Sequence, residues 1–119
     1  MKELDKIAYD WGLRCFGYDH MKNLQIRTLR MIEEAIEVGQ AVDLTEKLLL
    51  KQVAEVYKRP PGELKKELGG LYNTFRILCT CLGVDAEEIL LTEIRRCLEM
   101  SPKHFAKRNT DKLSLGLDV

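Results

Sequence analysis

The 119 residues include nineteen basic and nineteen acidic side chains, with 45% hydrophobic and 32% charged residues. That is enough chain for one domain with one core, in the composition range of soluble globular proteins. A formal charge of zero argues against general nucleic-acid binding by bulk electrostatics. No apolar run reaches membrane-span length, and residues 1–17 are too polar for a signal peptide, so a cytoplasmic protein with no membrane partner is expected. Cys15, Cys79, Cys81 and Cys97 form no C-x-x-C pair and lie among apolar residues in helical patterns. Reduced core thiols are therefore expected, not a zinc site.

Leu4, Ile7, Ala8, Trp11 and Cys15 recur at helical spacing, so a first helix is predicted to end near Gly17. Residues 18–22 read as a short connection whose His20 is plain surface. A second helix is predicted over residues 23–42, with Asn23 as N-cap. At 100° per residue, Leu24, Leu29, Met31, Ile32, Ala35, Ile36, Val38 and Val42 share one apolar arc. Glu33, Glu34 and Glu37 fall on the opposite arc with Arg27 and Arg30.

Asp43 and Glu46 have capping-box spacing ahead of a third helix carrying Leu44, Leu48, Leu49, Val53, Val56 and Tyr57. Lys58-Arg59-Pro60-Pro61-Gly62 stops it, because prolines cannot continue a helix interior. A fourth helix is predicted over residues 62–82, with Leu64, Leu68, Leu71, Phe75, Leu78 and Leu82 as its core seam. Glu63, Glu67, Gly70 and Thr74 lie beside that seam. The mid-helix pair Gly69-Gly70 costs about 1 kcal/mol per glycine relative to alanine, which points to a kink, a close helix approach or a need for space. Asp85 with Glu88 opens a fifth helix over residues 86–100. Ser101-Pro102 reads as cap and first-turn proline of a final short turn, and the tail from about residue 103 shows no long apolar face and is expected to be loosely held. The fold class expected is all-α, four or five helices in a bundle, as a single domain over residues 1–119.

A line of acids on a helix is often only a solvated face. Here two helices carry such pairs, Glu34 with Glu37 and Glu63 with Glu67, and in an antiparallel bundle two such stripes can form a carboxylate cage. Di-iron bundles need Glu-x-x-His pairs, and His20 and His104 are far from any such pair. Oxygen ligands alone suit Mg²⁺, or Mn²⁺.

Glu33-Glu34-Ala35-Ile36-Glu37 followed by Glu67-Leu68-Gly69-Gly70 resembles the all-α nucleoside triphosphate pyrophosphohydrolases of the MazG-like superfamily. Their pattern is Glu-Glu-x-x-Glu on one helix and Glu-x-x-Asp on a later one. Gly70 stands where the pattern has aspartate. The stretch RPPGELKKELGG is similar to a bacterial and phage subgroup with a glycine pair at this place.

The resemblance implies a Mg²⁺-dependent enzyme that hydrolyses a nucleoside triphosphate to the monophosphate and pyrophosphate, working as a homodimer or tetramer. It implies Glu34, Glu37 and Glu67 as metal ligands and Glu33 as a further ligand or the group that orients water. Glu63, one turn before Glu67, is the candidate to replace the missing aspartate. Arg27, Arg30, Arg95, Lys103, Lys107 and Arg108 are the available cations for phosphate, and Trp11, Tyr18, Tyr72 and Phe75 the available rings for a base, with Trp11 and Phe75 expected in the core. No specific nucleic-acid partner is expected. The rival expectation is a helical binding or regulatory module that kept the fold without the chemistry.

Overall fold

The computed structural model describes residues 2–117. It contains α1 (Glu3–Lys22), α2 (Leu24–Ala41), α3 (Glu46–Tyr57), α4 (Leu64–Leu82), α5 (Ala86–Glu99) and α6 (Pro102–Ser114). Among the described residues there is no strand, so the class is all-α. Six helices stand where four or five were expected, because the tail forms a full helix. The chain divides into two compact units, one formed by residues up to Leu44 with those from Ile94 onward, the other by Thr45–Glu93.

In the first unit α1 packs against α2 and α6. α1 does not end at Gly17. That glycine takes φ 79°, ψ 166° and kinks the helix, which resumes through His20 to Lys22. A side chain with a Cβ resists positive φ, so glycine makes the bend possible. Asn23 then caps α2 as expected, its Oδ1 accepting from the Ile26 amide at 3.1 Å. Gly12 is buried under Met21, whose sulfur and methyl occupy the space a Cβ would need.

Cys15, Ile26 and Phe105 are the buried hydrophobic residues of this unit. The Phe105 ring stands edge-on to Trp11, centroids 4.9 Å apart and planes at 81°. Trp11 meets Phe16 the same way at 5.8 Å. Such edge-to-face pairs add about 0.5–1.5 kcal/mol beyond the area they bury.

The face of α2 that packs is not the apolar arc expected. Ile26 is 4% exposed while Leu24 is 72% exposed, and Met31, Ile32, Ile36, Val38 and Val42 are exposed too. The inward line is Ile26, Arg30 and Glu33, at i, i+4 and i+7, because α6 offers polar partners to it.

α6 corrects the reading of the tail. Ser101 caps it, accepting from the Lys103 amide at 3.3 Å, and Pro102 sits in its first turn. It then runs for 13 residues with Phe105 and Asn109 buried.

In the second unit α3 is capped by Thr45, not Asp43: the Thr45 hydroxyl accepts from the Leu48 amide at 3.2 Å. Asp43 instead takes a positive φ of 67° in the turn before it. The two prolines separate α3 from α4 as predicted. Gly83 ends α4 in the left-handed region at φ 71°, and Val84 N donates back to Cys79 O at 3.0 Å. Asp85 accepts from the Glu88 amide at 3.0 Å and starts α5.

Among the described residues of this unit only Cys79 is buried. The expected seam of Leu64, Leu68, Leu71, Phe75, Leu78 and Leu82 is exposed along its length. Gly69 and Gly70 lie within α4, and a Cβ on either would meet no atom within 4 Å. No close approach among the described residues requires them.

None of the four cysteines forms a disulfide; Cys15 and Cys79 are buried, Cys97 is half-buried and Cys81, expected inside, is exposed. Burial pushes the Cys15 thiol pKa up, against a weaker downward pull from Arg14, which makes it a poor nucleophile at neutral pH. Among the described residues no helix is long and apolar enough to cross a membrane.

Phe105→Ala leaves a cavity beside Trp11 and is expected to lower stability by about 3 kcal/mol or more in urea unfolding. An unchanged midpoint would show that α6 contributes nothing to the first unit.

Candidate functional site

The acids of α2 do not share one environment. Glu33 is half-buried and paired with Lys112 of α6, Nζ to Oε1 3.0 Å. Glu34 and Glu37 are exposed, one helical turn apart. The Lys112 pair is better shielded than an exposed surface pair, with side chains 22% and 30% accessible, so it exceeds the few tenths of a kcal/mol of a fully solvated pair.

Arg30, a candidate for phosphate, is bound within its own unit. Its Nη1 donates to the Leu117 carbonyl at 3.1 Å and its Nη2 to Asn109 Oδ1 at 3.3 Å. The other end of the Asn109 amide lies 3.0 Å from His20 Nδ1. Three helices are thereby joined through one side chain.

Arg27 is enclosed. Its guanidinium lies over the Phe16 ring at 5.0 Å, and Nη1 points to the Met21 sulfur at 3.5 Å. Its Nε and Nη2, like the indole Nε1 of Trp11, are buried with no hydrogen-bond partner. Burial first, and the like charge of Arg30 second, pull its pKa down. The residue as a whole is half-buried, with the Phe16 ring and the Met21 sulfur as its contacts.

Arg95, Lys103 and Arg108 are exposed, and Lys107 pairs with Asp111 at 3.1 Å. Of the candidate rings, Trp11 is half-buried against the buried Phe105, whereas Phe75 is exposed. Tyr72 is exposed beside Arg76, and Tyr18 is exposed with the Lys22 ammonium 4.7 Å from its centroid.

The second pair of acids gathers at the start of α4. Glu63 is the N-cap rather than a helix residue; its carboxylate accepts from the Lys65 amide at 3.2 Å and the Lys66 amide at 2.8 Å. Glu67 is exposed in the first turn, and its Oε1 fills the space a Cβ on Gly62 would need. Both carboxylates benefit from the positive end of the helix dipole. That is a structural reason for two acids here which wheel spacing alone did not reveal. Gly70, one turn on, has open space around it.

Glu33, Glu34, Glu37 and the arginine candidates thus belong to the first unit, and Glu63 and Glu67 to the second. Among the described residues no three His, Cys, Asp or Glu side chains are grouped to hold a metal ion. The donor chemistry suits Mg²⁺, since every candidate is a carboxylate oxygen.

The residues missed from the sequence are His20, Asn109 and Lys112. A signal existed: Phe105, Asn109 and Lys112 recur at i, i+4 and i+7 on one face of α6. Two of the three are polar, which hid the face from a hydrophobic-period reading.

In comparisons with known proteins, the chain matches no protein-family model, no curated protein and no solved structure.

Glu63→Ala removes two hydrogen bonds to the first amides of α4 and is expected to cost about 1 kcal/mol, with Glu63→Asp restoring most of it, as read from urea midpoints. A neutral Glu63→Ala would mean that the cap adds nothing in solution.

Proposed function

We propose that the chain is one subunit of a MazG-like, Mg²⁺-dependent nucleoside triphosphate pyrophosphohydrolase. The observation that carries this reading is the Glu-Glu-x-x-Glu run on α2 of an all-α chain, with Glu34 and Glu37 presented to solvent on neighbouring turns. Glu67, exposed in the first turn of α4, is the ligand that the resemblance implies for the second motif. Mg²⁺, when bound, would neutralise triphosphate charge and acidify a water near neutral pH. Glu34 and Glu37 would hold it, and Glu33 would orient the attacking water. Arg95, Lys103 and Arg108, being exposed, are better placed to reach phosphates than the half-buried Arg27 or the engaged Arg30.

A homo-oligomer is part of the proposal. Leu48 and Val53 of α3 and Leu68 and Phe75 of α4 are exposed. An apolar groove of about 250 Å³ runs along α2 between Leu24, Thr28, Leu29 and Ile32. Helices with this much uncovered apolar surface gain from association with a second copy.

A second reading, a helical binding or regulatory module, draws on three observations. Glu63 already caps α4, Glu33 is already paired with Lys112, and glycine replaces the aspartate of the pattern at Gly70.

Pyrophosphate release from canonical and modified nucleoside triphosphates, with and without Mg²⁺, separates the two. The enzyme reading expects Mg²⁺-dependent release, and a raised melting temperature when Mg²⁺ and nucleotide are added together. No release and no shift on any substrate favours the binding module. In the active protein Glu37→Gln is expected to abolish turnover while leaving the apo melting temperature the same or higher, since it removes a like charge from an acid cluster. Retained turnover with a lower melting temperature would assign Glu37 to structure.

A further inference from the structure

We propose that His20, Asn109 and Arg30 form a proton-sensitive clasp that holds α6 against α1 and α2 while His20 is neutral and loosens when His20 takes a second proton. The inference rests on hydrogen-bond geometry alone and is independent of the metal reading.

A guanidinium only donates hydrogen bonds. The Asn109 atom 3.3 Å from Arg30 Nη2 is therefore the amide oxygen. The Asn109 atom facing His20 must then be the amide nitrogen, which also only donates. At 3.0 Å from that nitrogen, His20 Nδ1 has to present a lone pair, so the imidazole proton sits on Nε2. The chain of donors runs in one direction, from Arg30 through Asn109 to His20, and Arg30 cannot reverse it.

A second proton goes to Nδ1 and sets a donor against the Asn109 NH₂. Turning the amide over relieves that clash only by setting the NH₂ against Arg30. Either way one contact of a buried side chain is lost, and Asn109 is 8% exposed. The Lys112–Glu33 pair lies one turn further along α6 and the Arg30–Leu117 bond closes its end, so both loosen with it.

Within three residues of the clasp along each helix, the charged groups are Asp19 and Lys22 on α1, Arg27 and Glu33 beside Arg30 on α2, and Lys107, Arg108, Asp111 and Lys112 on α6. Asp19 is paired with Lys22 at 3.6 Å and Glu33 with Lys112 at 3.0 Å. An ordinary carboxylate takes up its proton well below the pH, ~6.5, at which an ordinary imidazole does. The clasped state binds one proton fewer than the released state. Its contribution is therefore present above the imidazole range and lost as pH falls through it.

The test is amide hydrogen exchange on the full chain at about pH 7.5 and about pH 5.5, as protection factors that remove the intrinsic pH dependence. Protection of the α6 amides around Asn109 is expected to fall about fivefold at the lower pH, with α4 unchanged. His20→Asn keeps an acceptor that does not titrate and should flatten the change, whereas His104→Asn should leave it in place. Asn109→Asp accepts from both Arg30 and a protonated His20, so its α6 protection should not fall on acidification. Nitrogen chemical shifts of His20 at the higher pH should report a proton-free Nδ1. The same acid-induced loss in His20→Asn or in Asn109→Asp, or a protonated Nδ1 in the neutral ring, overturns the proposal.

Discussion

The contact of Phe105 with Trp11 makes one folded unit out of the two ends of the chain. A small three-helix unit buries few large side chains, and here an edge-to-face aromatic pair brings α6 onto α1. Only with α6 held there do Asn109 and Lys112 come within reach of His20, Arg30 and Glu33. The hydrophobic contact supplies attraction without direction. The polar contacts beside it supply direction, since each donor must meet an acceptor.

That arrangement changes the meaning of α2. Its arginine and first acid look toward α6, and its apolar arc looks away. The same helix therefore carries an internal polar face, two exposed carboxylates and an uncovered apolar stripe. In the pyrophosphohydrolase reading these faces have separate tasks: Arg30 and Glu33 tie the unit together, Glu34 and Glu37 meet a cation, and the stripe meets a second copy. Glu33 then stands between the first two tasks, because Lys112 competes for the carboxylate that would orient water.

The start of α4 holds a similar tension. The orphan amides of a helix N-terminus favour a nearby carboxylate, and Glu63 answers that need directly. A carboxylate that already accepts two amide protons is a weaker donor to a cation. Glu67, one turn on, keeps one carboxylate oxygen close to Gly62. The two acids of this stripe are therefore unequal in what they can offer, although their spacing in the sequence treats them alike.

Helix content was legible from the chain alone, because apolar periodicity, Asn23, Ser101-Pro102, Gly83 and the double proline each act through neighbours only a few residues away. The same local rules located the Glu-Glu-x-x-Glu run. They misplaced two local details, since Gly17 bends a helix that continues and Thr45 displaces Asp43 as cap, and they failed where a distant partner decides, as at His20, which is no loop residue. Helical periodicity tells which residues share a face but not which face finds a partner. Ile26 is buried and Leu24 exposed because α1 and α6 lie on one side of α2, and that choice depends on Phe105 and Asn109, about eighty residues away.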